Sequence, residues 1–157
     1  MSPLAASVIA AARARGLRLG TAESCTGGMI AAALTDVPGS SSVVMGGVVS
    51  YAESVKETVL SVPPEVIASH GVVSEEVARA MARGARAALR ADLSVATTGV
   101  AGPGDSGEDP EGRVCFALAS AGATDSMTVD FGPLGRAKVR AAATEHALTL
   151  LLAALQP

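Results

Sequence analysis

Aromatic side chains are almost missing from this chain: two phenylalanines, one tyrosine and no tryptophan among 157 residues. A core built on stacked rings is excluded. Apolar residues still make up 49% of the chain and the mean hydropathy is +0.41, so the interior must be assembled from Ala, Val, Leu and Ile. Lysine is scarce as well, with only Lys56 and Lys138 against ten arginines. Cys25 and Cys115 stand far apart with no C-x-x-C, and His70 and His146 have no metal-ligand spacing to each other or to the cysteines. That argues against a structural zinc and for free thiols. No apolar run approaches the roughly twenty residues of a membrane helix. The N-terminal stretch mixes Arg13, Arg15 and Arg18 into a helical pattern, unlike a signal peptide. These features predict a cytoplasmic protein with no membrane partner. A net charge of −3 with a pI near 5.3 leaves no basic footprint for nucleic acid. Arg79, Arg83, Arg86 and Arg90 recur at helical spacing and read as a solvated helix face.

The 17 glycines imply tight turns and close backbone approaches. Residues 3–15 read as a helix ended by Gly16, followed by a strand near 17–22 and a helix over 29–35. Residues 43–51 read as a buried strand, 52–60 as a short helix, and Pro63-Pro64 as the start of another that runs to His70-Gly71. Ser74 followed by Glu75 and Glu76 is an N-cap signal for a long helix to about residue 90. A strand at 92–98 follows, then an acidic, mobile Gly/Pro loop at 105–111 of the kind that borders sites. A hairpin is expected from 113–120 and 126–131, and a closing helix over 135–155. The whole chain, 1–157, is expected to form one domain. The expected fold is a three-layer α/β/α sandwich with a mixed, mainly parallel central sheet, closed by a C-terminal β-hairpin and helix.

Three corners rich in Gly and hydroxyl groups stand out. Thr21-Ala22-Glu23-Ser24-Cys25-Thr26-Gly27-Gly28 lies where a strand hands over to a helix, so free helical N–H groups there would favour an anion or oxyanion. It is neither a P-loop nor G-x-G-x-x-G. Plain N-capping by Ser24 or Thr26 is the competing explanation, and Cys25 as a nucleophile lacks a marked histidine partner. Thr97-Thr98-Gly99-Val100-Ala101-Gly102-Pro103 repeats the strand-end design. If the two strands are parallel neighbours, Ser24 and Thr98 face a common pocket. The third corner runs from Gly39-Ser40-Ser41-Ser42 to Tyr51 and Lys56. A hydroxyl, a phenol and an amine that can lose its proton are the parts of a Ser-Lys acyl-transfer site. A straight strand would hold Ser41 and Lys56 apart, so they meet only if the serine loop folds back or the strand is short.

Together these motifs, in this order and spacing from about residue 4 to 155, resemble the C-terminal domain of the competence-damage-inducible CinA family. That family includes stand-alone nicotinamide-nucleotide amidases called PncC, the form this chain is similar to. The resemblance implies hydrolysis of the carboxamide of nicotinamide mononucleotide to nicotinate mononucleotide and ammonia. It implies Ser41, Tyr51 and Lys56 as catalytic residues, with Ser40 and Ser42 as alternative registers of the serine, and a functional role for Ser24. It further implies Thr26, Gly27, Gly28, Thr98, Gly99 and Gly102 around the substrate, with Arg136 or Arg140 for the phosphate. No metal and no cofactor is implied; the expected partner is a small pyridine nucleotide, and the Ala/Leu-rich last helix offers a face for a homo-oligomer, a dimer or higher. The segment Gly104–Pro110 departs from the family pattern in length and acidity. A non-catalytic ligand-binding or regulatory module of the same fold is the alternative function, and a Cys25-dependent phosphate-ester hydrolase the weakest one.

Overall fold

A computed structural model describes all residues, Met1–Pro157. Five strands form one mixed sheet: β1 (Leu19–Glu23), β2 (Val44–Val49), β3 (Leu93–Gly99), β4 (Arg113–Ala119) and β5 (Thr124–Asp130), in the order β2-β1-β3-β4-β5. β1 pairs in parallel with both β2 and β3, whereas β3–β4 and β4–β5 are antiparallel. Two of the four pairings are parallel and two antiparallel, and four of the five strands point the same way, which makes the mixed sheet that was expected. Six α-helices cover the sheet: α1 (Pro3–Arg15), α2 (Met29–Thr35), α3 (Glu53–Leu60), α4 (Pro64–His70), α5 (Glu75–Leu89) and α6 (Arg136–Leu155).

Two apolar clusters, one on each face, make the three layers. On one side α1, α2 and α6 bury Val8, Ile9, Ile30, Leu34, Val139 and Leu151 against Leu19, Val95 and Phe116. On the other, α3, α4 and α5 pack Leu60, Ile67, Met81 and a set of alanines onto Ala22, Ala96 and Ala117. Small side chains let α5 lie close to its neighbours. Gly84 of α5 abuts the Leu60 carbonyl at the end of α3, where any Cβ would collide with backbone. The helix ends follow the local chemistry. Gly16 closes α1 in the left-handed conformation, and the Ser74 hydroxyl accepts from Val77 N–H to open α5.

Two expectations are corrected. β2 is an edge strand whose residues alternate between half-buried and exposed, with Met45 and Val49 facing solvent, so 43–51 is not a buried strand. The 105–111 segment is an ordered turn. Asp105 Oδ1 accepts from Glu111 N at 2.8 Å, Glu111 Oε2 from Gly104 N at 3.2 Å, and Ser106 and Asp109 exchange backbone hydrogen bonds. Asp105 and Glu111 thus satisfy backbone N–H groups of the turn itself, while Asp109 lies 3.8 Å from Arg113.

Chain direction fixes where a ligand can sit. After β1 the chain passes to the α1/α2/α6 face, and after β2 to the α3–α5 face, so the connections diverge beside β1. Such a switch point leaves a crevice beyond the carboxyl ends of the strands. Gly84→Ala, which would drive α3 from α5, should lower stability by about 1–3 kcal/mol in urea unfolding. Gly122→Ala, with open space around it, should stay within about 0.5 kcal/mol.

Candidate active site at the carboxyl ends of the parallel strands

The register of β1 brings the site together. Glu23 lies opposite Val49 on one side and Thr97 on the other. One residue further, Ser24 N–H donates to Thr97 O at 3.0 Å and Ser50 N–H donates to Glu23 O at 2.8 Å. Ser24, Ser50 and Thr98 therefore converge at one edge. From α3, the Lys56 side chain runs back to this edge, with Nζ 2.7 Å from Ser50 O and 3.1 Å from Ser24 Oγ. Lys56 is only 2% exposed, and no carboxylate lies within ion-pair distance of it. Burial pushes its pKa down, opposed chiefly by the charge of Glu53. An amine with depressed proton affinity touching a serine hydroxyl is the pairing of groups that Ser-Lys chemistry requires.

A cavity of about 250 Å³ opens over this pair. Ser24, Tyr51, Lys56, Thr98, Gly99 and Arg136 line it, among the residues expected from the sequence. Glu53, Ser106, the Cys25 corner and the apolar side chains of Val72, Val73 and Val100 complete the wall. Thr98 Oγ1 donates to Val72 O at 2.7 Å, tying β3 to the segment before α5. Arg136 at the start of α6 donates from Nη2 to Tyr51 Oη and from Nη1 to Gly102 O, both at 2.6 Å. Tyr51 is 62% exposed and its hydroxyl bonds the arginine, not Lys56, which places it at the rim of the cavity.

Ser41 is not in this site. The turn Ser40–Ser42 precedes β2, beside the start of β1, where Leu19 N–H donates to Val43 O and Arg13 bonds Gly39 O and Ser42 Oγ. The whole of β2, about 20 Å of strand, separates it from Lys56. Ser40 and Ser42 share that end, so shifting the register does not help. The serine at the lysine is Ser24.

Several other expected binders stand behind the wall. Arg140 donates to Cys25 O at 3.0 Å and to Thr26 O at 3.3 Å, so its guanidinium pins the 24–28 loop rather than facing the cavity. Gly27, at φ +59°, leaves the room this guanidinium occupies. Gly28 is the N-cap of α2, and Gly102 supplies a carbonyl to Arg136. Thr26 is buried, its hydroxyl bonded to Glu23 and 2.8 Å from Thr97 Oγ1. The free N–H groups expected at α2 are also taken. The fully buried Glu23 carboxylate accepts from Ile30 N and Ala31 N, both at 2.9 Å, and from the hydroxyls of Thr21 and Thr26. Neither Ser24 nor Thr26 caps the helix; Glu23 does, from seven and eight residues away. Its place in a strand-to-helix motif was the only sequence signal for that role. No group of three or more His, Cys, Asp or Glu side chains is positioned to hold a metal ion.

With this geometry in view, the comparisons decide the family. The CinA C-terminal domain model matches residues 1–155. The chain belongs to the CinA C-terminal domain family. It is 48% identical over 154 residues to a CinA-like protein of Anaeromyxobacter sp. (strain Fw109-5), covering 98% of this chain and 37% of that protein. A CinA-like protein of Mycolicibacterium paratuberculosis is 49% identical over 142 residues, covering 87% and 32%. The chain thus spans about a third of the length of the curated relatives it matches. Among solved structures, the competence/damage inducible protein CihA from Agrobacterium tumefaciens superposes with a TM-score of 0.94 at 42% identity, covering 98% of this chain and 94% of that one. A CinA superfamily protein from Klebsiella pneumoniae 700603 gives 0.93 at 37% identity, covering 97% and 95%. These matches fix the family and the α/β fold.

The thiols behave as core in this arrangement. Burial pushes the Cys25 pKa up to about 11 and raises that of Cys115. Iodoacetamide at neutral pH should therefore label neither thiol in the native protein and both after denaturation, read by intact mass. Rapid native labelling of Cys25 would contradict this placement.

Proposed function

We propose that the cavity hydrolyses a carboxamide, with Ser24 as nucleophile and Lys56 as its base, and that the substrate is nicotinamide mononucleotide. The 3.1 Å approach of the buried Lys56 Nζ to Ser24 Oγ carries this reading. In its neutral form the amine donates to Ser50 O, the shorter contact, and its lone pair accepts the Ser24 proton. Ser24 Oγ attacks the carboxamide carbon and the proton passes to Lys56. The resulting lysinium protonates the departing ammonia, leaving an acyl-serine. Water, deprotonated by the same amine, then releases the acid and restores Ser24. Each proton removed by Lys56 is returned, so no net charge accumulates.

The tetrahedral intermediate needs donors for its oxyanion. The Cys25 and Thr26 N–H groups donate to no backbone carbonyl and follow the nucleophile directly, which makes them the candidates. The pyridine ring would lie against Val72, Val73 and Val100, and the phosphate toward Arg136. The chain's resemblance to nicotinamide-nucleotide amidases supports the choice of substrate.

Ammonia release from nicotinamide mononucleotide by the purified chain tests this. Ser24→Ala and Lys56→Arg should each cut kcat by about a thousandfold or more, because guanidinium keeps its proton. Ser41→Ala should keep wild-type rates within about twofold. The pH profile has a defined sign. Only neutral Lys56 is active, so kcat/KM should rise with pH to a plateau, with a midpoint below the ordinary lysine value of about 10.4. Binding of the nucleotide without any release of ammonia would mark the chain as a ligand-binding module.

A further inference from the structure

The cavity wall carries one amine, one guanidinium and one carboxylate. Lys56 is committed to Ser24 and Ser50, and Arg136 to Tyr51 and Gly102. Glu53, the first residue of α3, forms no ion pair. It precedes Lys56 by three residues, so both side chains stand on the same side of the helix, one turn apart. Glu53 lines the same cavity as Ser24 and Lys56, so a substrate whose amide carbon sits at Ser24 Oγ holds its ring, a single bond away, in the space that Glu53 borders.

The geometry points to Glu53 as the specificity residue for a positively charged heteroaromatic ring, so that the cavity selects quaternary pyridinium amides over neutral aromatic amides. This rests on the amidase reading above. A pyridinium nucleotide carries a cation in the ring and an anion at the phosphate. The wall offers a complementary charge to each, the Glu53 carboxylate and the Arg136 guanidinium. A first-turn glutamate also favours a helix N-terminus, but that role is blind to the charge of a ligand. Glu53 is exposed at the cavity mouth, so the selectivity it gives is modest.

The same carboxylate acts on the base. Glu53 from α3 and Cys25 from the β1–α2 loop both favour the protonated form of Lys56, while burial opposes it. Tyr51 and Arg136 are the other titratable or charged groups lining the cavity. Removing the Glu53 charge therefore weakens capture of the cationic ring yet leaves more Lys56 neutral at a given pH. Loss in KM without loss in kcat is the signature.

The test compares wild type, Glu53→Gln and Glu53→Asp on two ligands of one shape. Nicotinamide mononucleotide has the charged ring; benzamide riboside 5′-monophosphate is its neutral carbon isostere. Glu53→Gln should raise KM for the charged nucleotide about fivefold, the upper range for an exposed charge pair. It should leave kcat undiminished and the inhibition constant of the isostere unchanged. The rising limb of kcat/KM should move to lower pH, and Glu53→Asp should restore most of the charge preference. Equal changes for both ligands, an unchanged KM, or a limb moving to higher pH would overturn the role of Glu53. No ammonia from wild type would instead defeat the amidase reading and this inference with it. Wild-type turnover with charge preference surviving in Glu53→Gln defeats only the assignment of Glu53.

Discussion

The Glu23 carboxylate, sealed beneath the site, is the constraint on which the corner depends. It sits at the end of the central parallel strand and accepts from two backbone N–H groups of α2 and two threonine hydroxyls. An unpaired carboxylate at full burial would be costly, so this one persists only because the 24–31 segment closes around it. That closure aims Ser24 out of the strand edge while Arg140 holds the Cys25 and Thr26 carbonyls from behind. Ser24, the proposed nucleophile, is thus positioned by groups that do not line the cavity.

Lys56 reaches the same point from the opposite layer. α3 lies on the far side of the sheet from α2, and the two connections diverge around β1, so the amine and the hydroxyl meet across the crevice. The close fit of Gly84 against the Leu60 carbonyl sets how near α3 can sit to α5. Fold and chemistry are linked there: a lysine moved outward would be hydrated, would keep its proton and would not be a base.

Much of the fold was legible in local sequence. The Ser74 cap and the Gly16 stop bound their helices to within a residue or so, because each signal acts within a turn or two of chain, and the closing helix expected over 135–155 is α6. The sheet edge was less legible. Val-rich 44–49 reads the same whether it is central or peripheral, and only pairing decides. The site was partly readable for the same reason. Lys56 stood out by rarity and Ser24, Thr98 and Arg136 by motif, but their meeting depends on parallel register. The Ser40–Ser42 run drew the nucleophile by proximity in sequence, and the intervening strand carries it to the wrong edge. Tyr51, five residues before Lys56, turns instead to Arg136, 85 residues later. Glu23 and Glu53 gave no signal beyond being acids near a strand end and a helix start.

The claim that Ser24 is acylated with Lys56 as its base is open to direct observation. Nicotinamide mononucleotide turnover quenched in acid on the pre-steady-state timescale, followed by peptide mass mapping, should find a nicotinoyl-nucleotide ester on Ser24 in wild type and none in Lys56→Arg. An adduct on Cys25 or Ser41, or turnover leaving no adduct at any quench time, would contradict the account.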